Sequence, residues 1–207
     1  MLNIAVLVSG GGTNLGALLK AEREGKIKNG KITKVISSRP DAYALERAKS
    51  YGVPTAVVDR KAIGDPQKFD DAVYDELEKA GADLIVLAGF LYILSGRISK
   101  RYENKIINVH PALIPSFCGP GYYGLRVHEE ALKAGVKITG ATVHFVNEVA
   151  DGGPIILQGA VEVKRGDTPE TLQKRVMEEA EWKLLPKVSL ICEGRVELIN
   201  GRAYVKE

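Results

Sequence analysis

The sequence predicts an α/β fold: an open, mostly parallel sheet with helices on both faces and an antiparallel C-terminal hairpin. Three observations carry that expectation. Short unbroken apolar runs, among them NIAVLV at 3–8, DLIVLA at 83–88 and KIINV at 105–109, alternate with helical patterns through the first half of the chain. Strands buried on both faces read this way. Strand–helix–strand order then implies right-handed crossovers between parallel neighbours. Beyond residue 136 the pattern changes to two alternating runs around the turn ADGG, which marks a hairpin.

The elements follow in order. Asn3–Val8 is a buried strand, and a glycine loop joins it to a helix over Asn14–Glu24. Ile32–Ser37 is the second strand, followed by a helix over Asp41–Tyr51 with Asp41 as its cap. Thr55–Val58 is the third strand. Pro66–Ala80 is a helix with Pro66 in its first turn and Gly81 just past its end. Asp83–Ala88 and Lys105–Val109 are the fourth and fifth strands. Residues 111–124 (PALIPSFCGPGYYG) hold too much proline and glycine for a helix, and a helix over Arg126–Ala134 follows. Lys137–Val146 and Pro154–Val163 pair as the hairpin. Thr168–Glu193 reads as one long helix, capped by Thr168 with Pro169 at its first position. Val196–Val205 forms a small hairpin around Asn200-Gly201. No repeat or linker divides the chain, so residues 1–207 are expected to form a single domain.

Bulk properties narrow the partners. The chain has 207 residues, 45% hydrophobic and 27% charged, enough for one substantial core. A net charge of +3 gives no reason to expect a nucleic-acid or membrane partner. Cys118 and Cys192 have no metal-ligand spacing and read as free thiols in a reducing compartment. The opening MLNIAVLVSGGG is a strand rather than a signal peptide, and no apolar run approaches the roughly 20 residues that span a bilayer. The expectation is a cytoplasmic protein, monomeric or homodimeric, acting on small molecules.

The loop Ser9-Gly10-Gly11-Gly12-Thr13-Asn14 sits between the first strand and first helix. Glycines there allow close approach of a ligand to the backbone, and a helix N-terminus favours an anion. The dinucleotide pattern fails at Leu15, and the nucleoside-triphosphate pattern fails at Ala17, where lysine is required. What remains is a site for one phosphate, with Thr13 and Asn14 adding donors. A tight turn without a ligand is the alternative, although three glycines exceed what a turn needs.

Asn108-Val109-His110-Pro111 ends the fifth strand. Ligands bind at the carboxyl ends of strands in open α/β sheets. Alternation puts Asn108 and His110 on the same side, an amide donor beside an imidazole. Asp151 lies in the ADGG turn, where Asp is common for purely local reasons. A carboxylate near an imidazole raises its pKa and orients it, and an amide stabilises an oxyanion, so the three together form an acyl-transfer constellation. His144, on the strand before that turn, reads as a structural histidine, and His128 falls on a helix; neither is expected to be catalytic.

Asn-x-His-Pro, with Asp-Gly-Gly-Pro about forty residues on, resembles the signature of the folate-dependent formyltransferases. LAGFLYILS at 87–95, GATVHFVNEVADGGPIILQ at 140–158 and the opening SGGGTN extend the resemblance over about residues 1–190. It implies a Rossmann-like formyltransferase fold and no metal. The implied reaction is formyl transfer from 10-formyltetrahydrofolate, as co-substrate, to an amine. The phosphate loop directs it to the branch of purine biosynthesis that formylates glycinamide ribonucleotide. Alternatives are hydrolysis of the same folate and a non-catalytic nucleotide-binding module.

The resemblance also assigns residues. Asn108 and a protonated His110 would hold the oxyanion, with Asp151 raising the His110 pKa. Gly12, Thr13 and Asn14 would take the substrate phosphate. Glu181 would bind the ribose, although its local spacing is one residue longer than in common members; Glu178, Glu179 and Glu181 also read as a solvated helix face. The folate would lie between Leu91, Tyr92, Ile93 and Leu94 on one side and Asn147, Glu148, Val149, Ala150 and Asp151 on the other, with Asn108 between. LYIL reads equally as plain core. Tyr92 and Pro66 stand where common members carry folate-linked arginines. The loop after Pro115, SFCGPGYYGLR, is several residues longer than usual, with a lid, a subunit contact and a surface ornament as its readings.

Overall fold

β1 (Leu2–Val8) runs through the centre of the molecule, and every side chain from Ile4 to Val8 is fully buried. Its apolar residues on both faces demand cover on both faces. The computed structural model describes residues 1–206. In chain order the remaining elements are α1 (Thr13–Arg23), β2 (Gly30–Ser37), α2 (Ala44–Ser50), β3 (Thr55–Val57), α3 (Arg60–Ile63), α4 (Pro66–Lys79), β4 (Leu84–Leu87), α5 (Gly96–Arg101) and β5 (Ile106–His110). Then come α6 (Leu125–Ala134), β6 (Ile138–Phe145), β7 (Ile155–Glu162), α7 (Pro169–Val176), and the terminal strands β8 (Val196–Ile199) and β9 (Arg202–Val205).

The main sheet has seven strands in the order β3-β2-β1-β4-β5-β6-β7. β1 to β5 pair in parallel, and β6 and β7 join antiparallel, so the sheet is mixed as expected. Two apolar layers result. On one face Leu15, Leu18 and Leu19 of α1 pack with Val176 of α7 and Val86 of β4. On the other, Phe69, Val73 and Leu77 of α4 pack with Ile98 of α5 and Ile85 of β4. The register of β6 on β7 slips between Val143 and His144, a bulge that re-aims the strand beside the site.

Three expectations are corrected. Asp41 does not cap a helix: its carboxylate is engaged by Arg39 at 2.7 and 3.0 Å, and α2 begins only at Ala44. Two short helices, α3 and α5, stand where none was expected, capped by Asp59 and Ser95 respectively. The C-terminal helix is not uniform. After α7, correctly capped by Thr168, the chain makes a π-turn over Met177–Glu181, a short helix over Trp182–Leu184, a 3₁₀ stretch over Leu185–Val188 and a last turn over Ser189–Cys192. Pro186 lacks an N–H, which favours such a break.

Candidate active site

β5 delivers Asn108 and His110 to the carboxyl end of the sheet, beside the seam where parallel pairing gives way to antiparallel. Across that seam Asn108 faces His144, and His110 faces Thr142. Thr142 is fully buried and fixes the chain leaving β5, its hydroxyl donating to the Ala112 carbonyl at 2.7 Å and accepting from the Ile114 N–H at 3.1 Å. Asp151 arrives from the turn between β6 and β7, with φ 54°, a left-handed conformation that Asp tolerates. Asn147 ties the same turn, accepting from the Val149 N–H at 2.9 Å and donating to the Gly152 carbonyl at 3.3 Å. Gly153 is required there, since a Cβ would lie 1.8 Å from the Phe145 carbonyl oxygen.

The structure brings the three residues together. One Asp151 oxygen lies 3.5 Å from His110 Nδ1, and the other lies 3.5 Å from His144 Nε2. Asn108 Nδ2 lies 3.2 Å from that same His144 nitrogen. His144 Nδ1 lies 2.8 Å from the Phe145 carbonyl, so Nδ1 carries the hydrogen. One N–H of the Asn108 amide faces this ring, and the second N–H remains for a ligand. His110 Nε2 donates to the Phe117 carbonyl at 2.8 Å, which turns Nδ1 toward Asp151. The Gly119 N–H donates to Asp151 at 2.8 Å, so the long loop is anchored on both catalytic candidates.

Two influences on His110 pull in opposite directions. Burial lowers the His110 pKa; Asp151 pulls it upward as anticipated, and the net result is below the ordinary histidine value. The carboxylate stands beyond hydrogen-bond length and offsets the desolvation without reversing it. Burial pushes the Asp151 carboxyl up, but the His144 contact, the Gly119 N–H and the nearby imidazoles outweigh it, and the net direction is down. His110 is thus held below the ordinary histidine value and Asp151 below the ordinary carboxylate value.

One cavity of about 490 Å³ links all of this. Asn14, Gln173, Met177 and Glu181 form one end, the trio sits in the middle, and Leu91–Leu94 with Asn147, Val149 and Ala150 form the other. Of the predicted phosphate residues only Asn14 lines this cavity, and Gly12 and Thr13 do not; Gly12 has φ 70°, and a Cβ there would lie 2.6 Å from that of Ala44, so only glycine fits. Added Cβ atoms at Gly10 and Gly11 would meet nothing within 4 Å, which leaves the N-terminus of α1 open. Thr13 points its hydroxyl at Met177, and the Asn14 side chain donates to Glu181 at 2.6 Å rather than into the loop. Glu181 is buried, and burial raises its pKa against the Asn14 bond. Glu181 closes the π-turn over Met177–Glu181, which holds one residue more than an α-turn needs. Such single-turn bulges are frequent at functional sites.

At the other end, every predicted folate-side residue lines the cavity except Glu148. Its carboxylate is drawn outward, 3.6 Å from Lys100. Tyr92 packs with Phe69 and Phe90, and the Arg60 guanidinium stands 5.8 Å over the Tyr92 ring. Pro66 is the first residue of α4, which Asp65 caps, and makes no part of the cavity.

Sequence reasoning missed three residues. His144, structural by its sequence pattern, touches two of the trio, and only the strand register reveals it. Arg47 Nε donates to the Gly11 carbonyl at 2.9 Å and brings a cation to the glycine loop. His128 is fully buried, lines the cavity with neither ring nitrogen hydrogen-bonded, and its pKa is pushed down to about 4 by burial and by His110. Among the described residues no group of three or more His, Cys, Asp or Glu side chains is placed to hold a metal ion. No helix among them is long and apolar enough to cross a membrane.

Comparison with known proteins agrees with this geometry. Residues 2–189 match the formyl transferase family. A phosphoribosylglycinamide formyltransferase of Haemophilus influenzae is 42% identical over 99% of this chain and 94% of its own length. The human trifunctional purine biosynthetic protein adenosine-3 is 44% identical over 99% of the chain, which spans only 20% of that protein. The crystal structure of glycinamide ribonucleotide transformylase 1 from Symbiobacterium toebii superposes with a TM-score of 0.93 at 42% identity, covering 100% of this chain and 95% of that one.

Proposed function

This chain belongs to the formyl transferase family, and from that premise we propose that it transfers a formyl group from 10-formyltetrahydrofolate to the amine of glycinamide ribonucleotide. The products are formylglycinamide ribonucleotide and tetrahydrofolate, a step of purine biosynthesis. One observation carries the reading: a single cavity is lined by Asn14 from the first turn of α1, by the buried carboxyl of Glu181, by the Leu91–Leu94 segment, and by Asn108, His110 and Asp151. The ends match a phosphorylated ribose and a flat aromatic donor, and the middle matches acyl transfer.

The chemistry follows from the residues. The substrate amine attacks the formyl carbon; a C–N bond forms and the carbonyl electron pair moves to oxygen. The second N–H of Asn108 donates to that oxyanion. His110 Nδ1, neutral before the reaction, takes the proton released by the attacking nitrogen, and Asp151 compensates the charge that appears on the ring. The proton then passes to the folate nitrogen as its bond to carbon breaks, so the leaving group departs as a neutral amine. Gly12, Thr13 and Asn14 hold the phosphate through the α1 N-terminus, with Arg47 behind the loop, and Glu181 takes the ribose hydroxyls.

The test is to follow tetrahydrofolate release from 10-formyltetrahydrofolate with and without glycinamide ribonucleotide. Release that depends on the ribonucleotide is the expected result. Equal release in its absence would make the reaction hydrolysis.

A further inference from the structure

The loop between β5 and α6 carries two aromatic side chains, Tyr122 and Tyr123, and both line the cavity that holds the trio. We propose that Tyr123 is a folate-binding residue that packs its ring on the aromatic part of the folate. The proposal rests on the folate reading above and adds a third wall to the two already assigned.

Exposure is the first argument. Tyr123 is 63% exposed, and on the facing walls Leu91 is 54%, Ile93 74% and Val149 64% exposed. Four large apolar side chains left open around one cavity mark a surface that a ligand covers, whereas scattered single ones would not. The four come from three separate segments, so they surround the space rather than share one sheet face or helix stripe.

Anchoring is the second. The loop does not hang free of the reaction centre: its root is bonded to His110 through the Phe117 carbonyl and to Asp151 through the Gly119 N–H. The Tyr122 N–H donates to the Gly119 carbonyl at 3.1 Å, and Arg126 stands 5.8 Å over the Tyr122 ring. Tyr122 is therefore held in place while Tyr123 projects. A wall that begins on Asp151 reaches the part of the donor next to its formyl-bearing nitrogen, which is where the folate carries its rings. Tyrosine suits that position, since its ring covers an aromatic face and its hydroxyl stays in water.

The experiment uses the full chain with Tyr123→Ala, Tyr123→Phe and Tyr122→Ala. Calorimetry gives Kd for tetrahydrofolate, which cannot react, and steady-state kinetics give KM for each substrate. Loss of one stacked ring is expected to raise the tetrahydrofolate Kd and the folate KM by about 3- to 10-fold in Tyr123→Ala. Tyr123→Phe restores both, and Tyr122→Ala, which removes the neighbouring ring that also lines the cavity, shows a smaller rise in the same direction. The ribonucleotide KM stays unchanged in all three. If the native chain binds tetrahydrofolate and Tyr123→Ala binds it equally well, the assignment of Tyr123 is overturned while the folate reading stands. If the native chain does not bind tetrahydrofolate, both fall together.

Discussion

Asn108 and His144 face each other across the antiparallel pair β5 and β6, with Nδ2 of one 3.2 Å from Nε2 of the other. His144 spends its remaining nitrogen on a backbone carbonyl, so its ring is fixed and in turn fixes the amide. It also stands 3.5 Å from Asp151. Removing this ring releases two members of the trio without touching the third. His144→Ala is expected to lower kcat by about 10- to 100-fold, the cost of small misplacement of reacting groups, with both KM values little changed. A kcat equal to that of the native chain would return His144 to a purely structural role.

Within the trio the losses are larger. His110→Ala, Asn108→Ala and Asp151→Asn are each expected to cost on the order of 100- to 1000-fold in turnover, the range for one donor of an acyl-transfer site. Double variants should lose much less than the product of the singles, because the groups act as a unit. Rates of folded variants, verified by circular dichroism, decide this.

Turnover should report the His110 shift. A base must be deprotonated, and burial lowers its pKa, so the acid limb of kcat/KM is expected below pH 6.5. Asp151 raises that pKa against burial, so in Asp151→Asn the limb moves further toward acid. A pH–rate profile of the residual activity checks the direction. A limb that moves toward alkaline pH would contradict the assigned roles.

His128 makes a separate prediction about stability. Its folded pKa of about 4 lies below the ordinary 6.5. Between these values the unfolded chain binds a proton that the folded chain refuses, so stability falls as the pH drops through that window and levels off below it. From pH 7 to pH 5 the loss from this group is about 2 kcal/mol. Urea unfolding of the native chain and of His128→Leu at the two pH values should show a pH dependence smaller by that amount in the variant.

The π-turn predicts the effect of shortening the helix. One residue corresponds to about 100° of rotation in an α-helix, so a deletion normally swings everything beyond it off its face. Met177–Glu181 already holds one residue more than an α-turn needs. Deleting Glu179 should therefore leave the fold and activity close to native. Deleting Lys174, in the regular helix α7, instead swings the buried Val176 off its face ahead of the π-turn and should lower stability. Urea unfolding and kinetics of the two deletions separate these outcomes.

The sheet was legible because apolar runs and alternation are strong signals, and the hairpin because ADGG interrupts alternation on both sides. The Asp41 cap was misread because a local ion pair with Arg39 competes for the same carboxylate. α3 and α5 are single turns with no apolar period to detect, although Asp59 and Ser95 carried cap signals. Asn108 and His110 were visible through alternation along one strand. His144 was not, because the register between strands 36 residues apart is set by tertiary packing. The sign of the His110 shift was hidden for the same reason, since burial is not a property of the residues around it in sequence.

The seam between β5 and β6 also bears on how the chain becomes active. Its ladder joins residues separated by most of a crossover and a long loop, with Asn108 opposite His144 and His110 opposite Thr142. Such non-local pairings cost loop-closure entropy before they return contacts, and they form late relative to local helices. The proposed reacting groups therefore assemble only when the sheet closes, and a chain with its helices formed but the seam open is expected to be inactive. Recovery of turnover during refolding should follow the last cooperative phase rather than the appearance of helix.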